Sequence, residues 1–181
     1  MSLCEDYLKY VHRNYGMDQE RYPWSEMASR PPLQLPNNAR VALWVIPTVE
    51  WFPLNMTNAP VKMTAGLARP YPDYWNYTLR DYGLRHGIFR IFRVLDELGI
   101  KASVAINSAV AKRHPYLVEQ INSRDWEIIA HGVDMNATHH SELTLEEEAA
   151  LVDECLGELR KVSTQPVRGW LSPAKSQSFN T

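Results

Sequence analysis

The hydrophobic residues of the chain form short apolar runs that alternate with amphipathic segments. Arg40–Pro47 is apolar, rich in β-branched residues and bounded by turn residues, which predicts a strand buried on both faces of a parallel sheet. Lys101–Ile106 and Glu127–Ala130 predict a second and a third strand, and Val167–Leu171 begins a fourth. The pattern therefore predicts four strands.

Segments with helical periodicity separate these strands. Apolar residues recur every three or four positions in His86–Leu98, and Gly99 follows where a helix commonly ends. Pro115–Ser123 predicts a second helix, opened by proline, and a capping box in Thr144–Glu147 begins a long third helix. The predicted apolar face of the third helix consists of Leu145, Ala149, Val152, Leu156, Leu159 and Val162. This alternation predicts an α/β fold with a parallel sheet, either open or closed as a barrel.

Two stretches follow neither pattern. Residues 1–38 are polar and aromatic, include one helical candidate at Glu5–Tyr15, and predict an N-terminal arm attached to a domain of residues 39–181. Trp51–Arg80 concentrates prolines and aromatic residues and is too long for a simple connection. We predict a functional loop there, and aromatic packing at one end of a barrel is an equal alternative.

Composition is that of a globular protein with a substantial core. The 181 residues are 45% hydrophobic and 22% charged, with a formal net charge of -2. This charge gives no general attraction to phosphate or anionic lipid, so we expect no nucleic acid or membrane partner. The first residues lack the apolar core of a signal peptide, and the two cysteines have no zinc-type spacing. We therefore expect a cytoplasmic protein.

Polar residues follow each predicted strand. Ligands of parallel sheets bind at the carboxyl ends of the strands. Glu50 and Trp51 follow the first strand, Asn107 the second, His131 the third and Ser172 the fourth. We expect these side chains to converge on one edge of the sheet.

Four segments resemble the polysaccharide deacetylase superfamily, and most of all its allantoinase-like branch: Arg80–Arg85, Gly99–Asn107, Ala130–Gly132 and Arg168–Pro173. The resemblance covers about residues 40–181. It implies a deformed (β/α) barrel of which the chain carries the N-terminal part. It also implies hydrolysis of a non-peptide carbon-nitrogen bond in a small linear or cyclic amide, such as allantoin or a cyclic imide.

The metal ligands of that superfamily are only partly present. Its deacetylases hold a divalent metal on an aspartate and on two histidines spaced His-x-x-x-His. Here the first-strand acid is Glu50, and the residue four after His131 is Met135, whose thioether is a poor ligand for zinc. We predict no required metal, as in the allantoinase-like branch. If zinc were bound, Glu50, His131 and His140 would hold it.

Amide hydrolysis requires a base for water, stabilisation of an oxyanion and an acid for the leaving nitrogen. Glu50 is the candidate base, His131 the candidate acid, and Arg168 could polarise the carbonyl group. A structural ion pair with Arg80 or Arg85 is the alternative role of Glu50. The candidate substrate-binding residues are Trp51, Tyr82, Arg85, Asn107, His139, His140, Trp170 and Ser172.

Two other functions fit these residues. A metal-dependent polysaccharide or peptidoglycan N-deacetylase would need an exported chain and a bound ion. A truncated, non-catalytic relative would bind a ligand or a partner without turnover. Because an open edge of a parallel sheet is costly in water, we also expect a homo-oligomer.

Overall fold

The computed structural model describes residues 22–56 and 72–181. The chain divides into two compact units, Met1–Leu43 and Trp44–Thr181. The predicted helix at Glu5–Tyr15 and half of the predicted loop lie outside the described residues. The predicted arm of residues 1–38 stays a prediction.

The first unit contains two 3-10 turns in its described part, at Met27–Ser29 and Pro36–Asn38. Its described residues are almost all exposed, including large apolar ones such as Met27 and Leu33. The sheet and the longer helices belong to the second unit.

Three parallel strands form the sheet in the order β1-β2-β3: β1 is Thr48–Val49, β2 is Ser103–Ile106 and β3 is Glu127–Ala130. All four residues of β2 are buried, as expected for a central strand covered on both faces. The predicted fourth strand contributes one parallel bridge, between Ala130 and Trp170. The predicted parallel α/β sheet is confirmed.

The first strand begins later than its apolar run predicts. Backbone pairing between Arg40–Pro47 and β2 begins only at the carbonyl group of Val45. Val41 and Leu43 are 78% and 75% exposed, so the prediction that both faces of this run are buried is wrong at its start. Pro47 has no N–H to donate to the neighbouring strand, which restricts regular pairing to the residues after it.

Six helical segments and one 3-10 turn, at Pro173–Lys175, lie in the described residues of the second unit. The six segments are α1 (Tyr74–Tyr82), a π-helical turn (Gly83–Gly87), α2 (Ile88–Glu97), α3 (Ser108–Arg113), α4 (Pro115–Ser123) and α5 (Leu145–Val162). The predicted helices at α2 and α4 are confirmed, and Gly99 has the left-handed φ of 62° that a residue after a helix end often needs. Helix α1 was predicted as loop, because prolines and aromatic residues dominate that part of the sequence.

Helix α5 begins at the predicted capping box. The hydroxyl of Thr144 accepts a hydrogen bond from the N–H of Glu147, whose carboxylate accepts one from the N–H of Thr144. The predicted apolar face is wrong at Leu145, Ala149 and Val162, which are all exposed. Leu159 is buried as predicted, and the buried face also includes Glu148 and Cys155, which were not predicted. A hydrophobic pattern gives no weight to a buried carboxylate that is stabilised by hydrogen bonds.

The core joins the sheet to the helices. Its most buried large residues come from α2, β2, α4, β3 and α5, and they are Phe92, Ile106, Ile121, Ile128 and Leu159. Burying each such side chain contributes about 1.5–3 kcal/mol. Within residues 22–56 and 72–181, no helix has both the length and the apolar character needed to cross a membrane.

Candidate active site

A carboxylate and an imidazole meet at the carboxyl edge of the sheet. Glu50 follows β1 and His131 follows β3, and their Oε1 and Nε2 atoms are 3.3 Å apart. His131 is buried, whereas the side chain of Glu50 is 30% exposed. The second ring nitrogen of His131, Nδ1, lies 2.5 Å from the carbonyl oxygen of Leu171. Parallel strand ends therefore bring these two predicted residues together.

The hydrogen bonds of His131 define how many protons the pair holds. A carbonyl oxygen only accepts hydrogen bonds, so Nδ1 carries a hydrogen. An ionised Glu50 also only accepts, and the contact at Nε2 is then attractive only if a second hydrogen lies between the two side chains. The pair is therefore an imidazolium beside a carboxylate, or an imidazole beside a carboxylic acid. Either form has one proton to give to a leaving group.

Asn107 fixes the spacing of this pair. Its side-chain oxygen accepts a hydrogen bond from the N–H of Trp51 at 2.7 Å, and its side-chain nitrogen donates to the carbonyl group of His131. Asn107 is fully buried. The structure thus places this predicted substrate-binding residue behind the site, as a tie between the ends of β1 and β3.

Trp51 is held among three side chains. Its ring lies under the guanidinium of Arg113 at 4.4 Å, tilted against His114 at 5.9 Å, and edge-on to Tyr77 at 6.3 Å. Its carbonyl group accepts a hydrogen bond from the N–H of Met135. This packing makes Trp51 a rigid wall next to Glu50.

Trp170, Ser172 and His139 form a second group of predicted residues. The indole nitrogen of Trp170 lies 3.4 Å from the hydroxyl of Ser172, in agreement with their predicted common face. The ring of His139 meets Trp170 edge-on at 5.6 Å. His139 is itself buried, with Nδ1 3.3 Å from a carboxylate oxygen of Glu148. His139 thus pairs with helix α5 and not with Glu50.

The structure does not bring Arg168 to the candidate site. The bridge between Trp170 and Ala130 puts Arg168 level with Ile128, two residues before the carboxyl end of β3. Its side chain is exposed. Its predicted role at the scissile carbonyl group stays a prediction.

Tyr82 and Arg85 also lie away from that pair. Tyr82 is 51% exposed, and its hydroxyl accepts a hydrogen bond from the guanidinium of Arg90 on helix α2. The guanidinium of Arg85 is exposed and bonds Asp81 one helical turn earlier, at 2.7 Å. Neither residue lines the cleft described next, so their predicted substrate contacts stay predictions.

A cleft of about 260 Å³ opens beside Glu50, between the end of β1 and the rod formed by α1 and α2. Glu50, Arg80 and Thr48 are its polar lining residues, and the others are apolar or glycine. The guanidinium of Arg80 stacks on the ring of Phe52 at 4.0 Å. Burial lowers the pKa of Arg80, and the carboxylates of Asp73 and Glu50 oppose this shift.

Sequence reasoning missed Arg80 and Phe52 as members of the site. The available signal was the spacing of Arg80, Gly83, Leu84 and Gly87, which places four lining residues on one helical face. That face was hidden because the segment around it was predicted as loop.

Residues 75–181 match the family profile described as polysaccharide deacetylase. The match covers more than half of the chain. The chain belongs to the polysaccharide deacetylase family. This confirms the superfamily inferred from the four sequence segments.

Solved structures show the fold of this deacetylase-family chain. Puue allantoinase aligns with a TM-score of 0.64 at 20% identity, over 82% of this chain and 53% of its own. A putative polysaccharide deacetylase from Mycobacterium smegmatis aligns with a TM-score of 0.53 at 19% identity, over 60% of this chain and 39% of its own. The chain spans about half or less of these structures. The predicted α/β fold, of the deformed (β/α) barrel type, is confirmed. No curated protein matches the chain significantly.

The donor set at the site of this family member does not fit a zinc ion. Both nitrogens of His131 already face protein oxygens, and Met135 is buried. His140 does not join Glu50 and His131, since no group of three potential ligands occurs within residues 22–56 and 72–181. Zinc sites in proteins need at least three such ligands.

Proposed function

We propose that the chain hydrolyses a non-peptide carbon-nitrogen bond in a small linear or cyclic amide, without a metal. Family membership supports carbon-nitrogen hydrolysis in general. The observation that supports the proposal is the Glu50–His131 pair, in which a partly exposed carboxylate contacts a buried imidazole at the carboxyl edge of the sheet. Such a pair combines a proton acceptor and a proton donor within one contact.

In the proposed reaction Glu50 activates water. Its carboxylate takes a proton from water as the water oxygen bonds the amide carbon, and the carbonyl electron pair moves onto oxygen. The positive charge on the His131 imidazolium stabilises that oxyanion. When the oxyanion collapses, the carbon-nitrogen bond breaks and the nitrogen takes a proton from the pair. This transfer restores the starting state of the pair, and the carboxylic acid product loses its own proton to water.

The experiment measures acid release from succinimide, hydantoin, allantoin and N-acetylglucosamine oligomers, with and without a chelator. We expect turnover of a small ring amide that survives chelation, and Glu50→Gln should lower kcat by about 100-fold or more. Glu158→Gln is the matched control, because this carboxylate lies on α5 and bonds Lys161 at the surface. Deacetylation of the sugar that chelation abolishes would reject the metal-free mechanism.

A further inference from the structure

We propose that Arg80 binds the scissile carbonyl oxygen, and that the cleft beside it selects small, neutral cyclic imides; this rests on the function proposed above. Arg80 shares the cleft with Glu50, on the helical rod that faces the end of β1. It would take over the role that the sequence assigned to Arg168.

The stacking of Arg80 makes it suited to this role. Its guanidinium lies over the ring of Phe52, so one flat side is covered by an aromatic face. Guanidinium N–H groups point outward in the plane of the group, so the stacking on Phe52 does not cover them, and one guanidinium nitrogen lies 3.9 Å from the sulfur of Met56. Charged donors are more effective where less water surrounds them, and Arg80 is partly buried in the cleft.

The charges around the cleft favour a neutral substrate. Asp73 and Glu50 are the carboxylates that act on Arg80. The Glu50–His131 pair has no net charge in either of its two forms, so the positive charge of Arg80 and the negative charge of Asp73 balance each other. A substrate with a net charge would upset this balance, and the apolar remainder of the lining offers few partners for the hydroxyls of a sugar.

The cleft is also small. Its volume of about 260 Å³ lies below the roughly 300–1,000 Å³ typical of sites for drug-sized ligands. A single small ring suits this space, whereas a chain of sugars does not.

Two glycines keep the helical wall of the cleft bare. Gly87 has helical φ and ψ of -59° and -47°, so its backbone does not require glycine. A Cβ atom added at Gly83 would meet no atom within 4 Å, so packing does not require glycine there. Glycine nevertheless weakens a helix relative to alanine. Contact between a substrate ring and this wall would explain why glycine occupies both positions.

The first test uses Arg80→Gln and Arg80→Lys with succinimide. We expect Arg80→Gln to lower kcat about 100-fold or more, as for the loss of an oxyanion donor, and Arg80→Lys to restore part of it. Arg93→Gln is the control, since this exposed arginine on α2 pairs with Glu97. Unchanged kcat in Arg80→Gln, with activity lost in Glu50→Gln, would overturn the inference and leave the proposed function standing.

The second test compares Gly83→Ala with Gly157→Ala. Both residues lie in helical segments, and an added methyl group at either meets no atom within 4 Å. We expect Gly83→Ala alone to raise the KM for succinimide, while both variants unfold at or above the wild-type temperature. Equal KM values in the two variants would show that the substrate does not use this wall.

A binding measurement separates the two proposals. Calorimetric titration of Glu50→Gln with succinimide should show binding that Arg80→Gln abolishes and Arg93→Gln does not. Such binding without wild-type turnover would support the cleft and reject the proposed hydrolysis. Absence of succinimide binding would reject the inference.

Discussion

Replacing Asn107 by alanine should destabilise the protein more than any other removal of one polar side chain at the site. Its amide group makes two hydrogen bonds, to the N–H of Trp51 and to the carbonyl group of His131, and it is fully buried. Alanine leaves the buried carbonyl group of His131 and the partly buried N–H of Trp51 without these partners. Each such group costs about 1–3 kcal/mol, so the expected loss is about 2–6 kcal/mol.

Asn122 provides a matched comparison. Its amide group also donates to a backbone carbonyl group, that of Val162, and accepts from a backbone N–H, that of Thr164. Asn122 lies at the surface, so water can replace both partners. Asn122→Ala should therefore cost about 1 kcal/mol or less, close to the net value of an exposed hydrogen bond.

Urea unfolding of both variants measures the difference, with the midpoint and the slope fitted separately. For a domain of this size a loss of 1 kcal/mol lowers Tm by about 2–4 °C, so Asn107→Ala should melt at least several degrees below Asn122→Ala. Equal losses would refute the reasoning that burial sets the cost. Because Asn107 also spaces the ends of β1 and β3, its variant should lose hydrolytic activity along with stability.

Three further predictions concern other parts of the chain. Burial acts to raise the pKa of Glu148, but hydrogen bonds from Ser178 and His139 outweigh it and hold the pKa below its usual value. The stability that this carboxylate contributes is therefore present above its pKa in the unfolded chain, and it is lost as the pH falls through its pKa in the folded protein. Glu148→Gln should flatten the loss of Tm between about pH 5 and pH 3, and an unchanged acid limb would contradict this. Burial raises the pKa of Cys155 to about 11, so in a Cys4→Ser variant iodoacetamide should not label the folded protein at pH 8 and should label it in urea. We also propose self-association through the edge of the sheet at β1, and sedimentation should give a mass at least twice the 20.9 kDa of one chain.

The sequence by itself determined the elements whose signals are local. Pro115–Ser123 and Glu127–Ala130 have the predicted bounds, and the capping box of Thr144 begins α5 as predicted. The contact of Glu50 with His131 was also predictable, because both residues directly follow strands and parallel strands end at one edge. These inferences need only neighbouring residues and one rule of topology.

Only the tertiary structure decided which other residues join the site. Arg168 is level with the middle of β3, and Arg80 lines the cleft with Glu50. The side-chain amide of Asn107 hydrogen-bonds two backbone groups. Glu148 is buried, although its charge would predict an exposed position on the helix. Each outcome depends on contacts between residues distant in sequence, and hydrophobic periodicity gives the type of an element but not its register or neighbours.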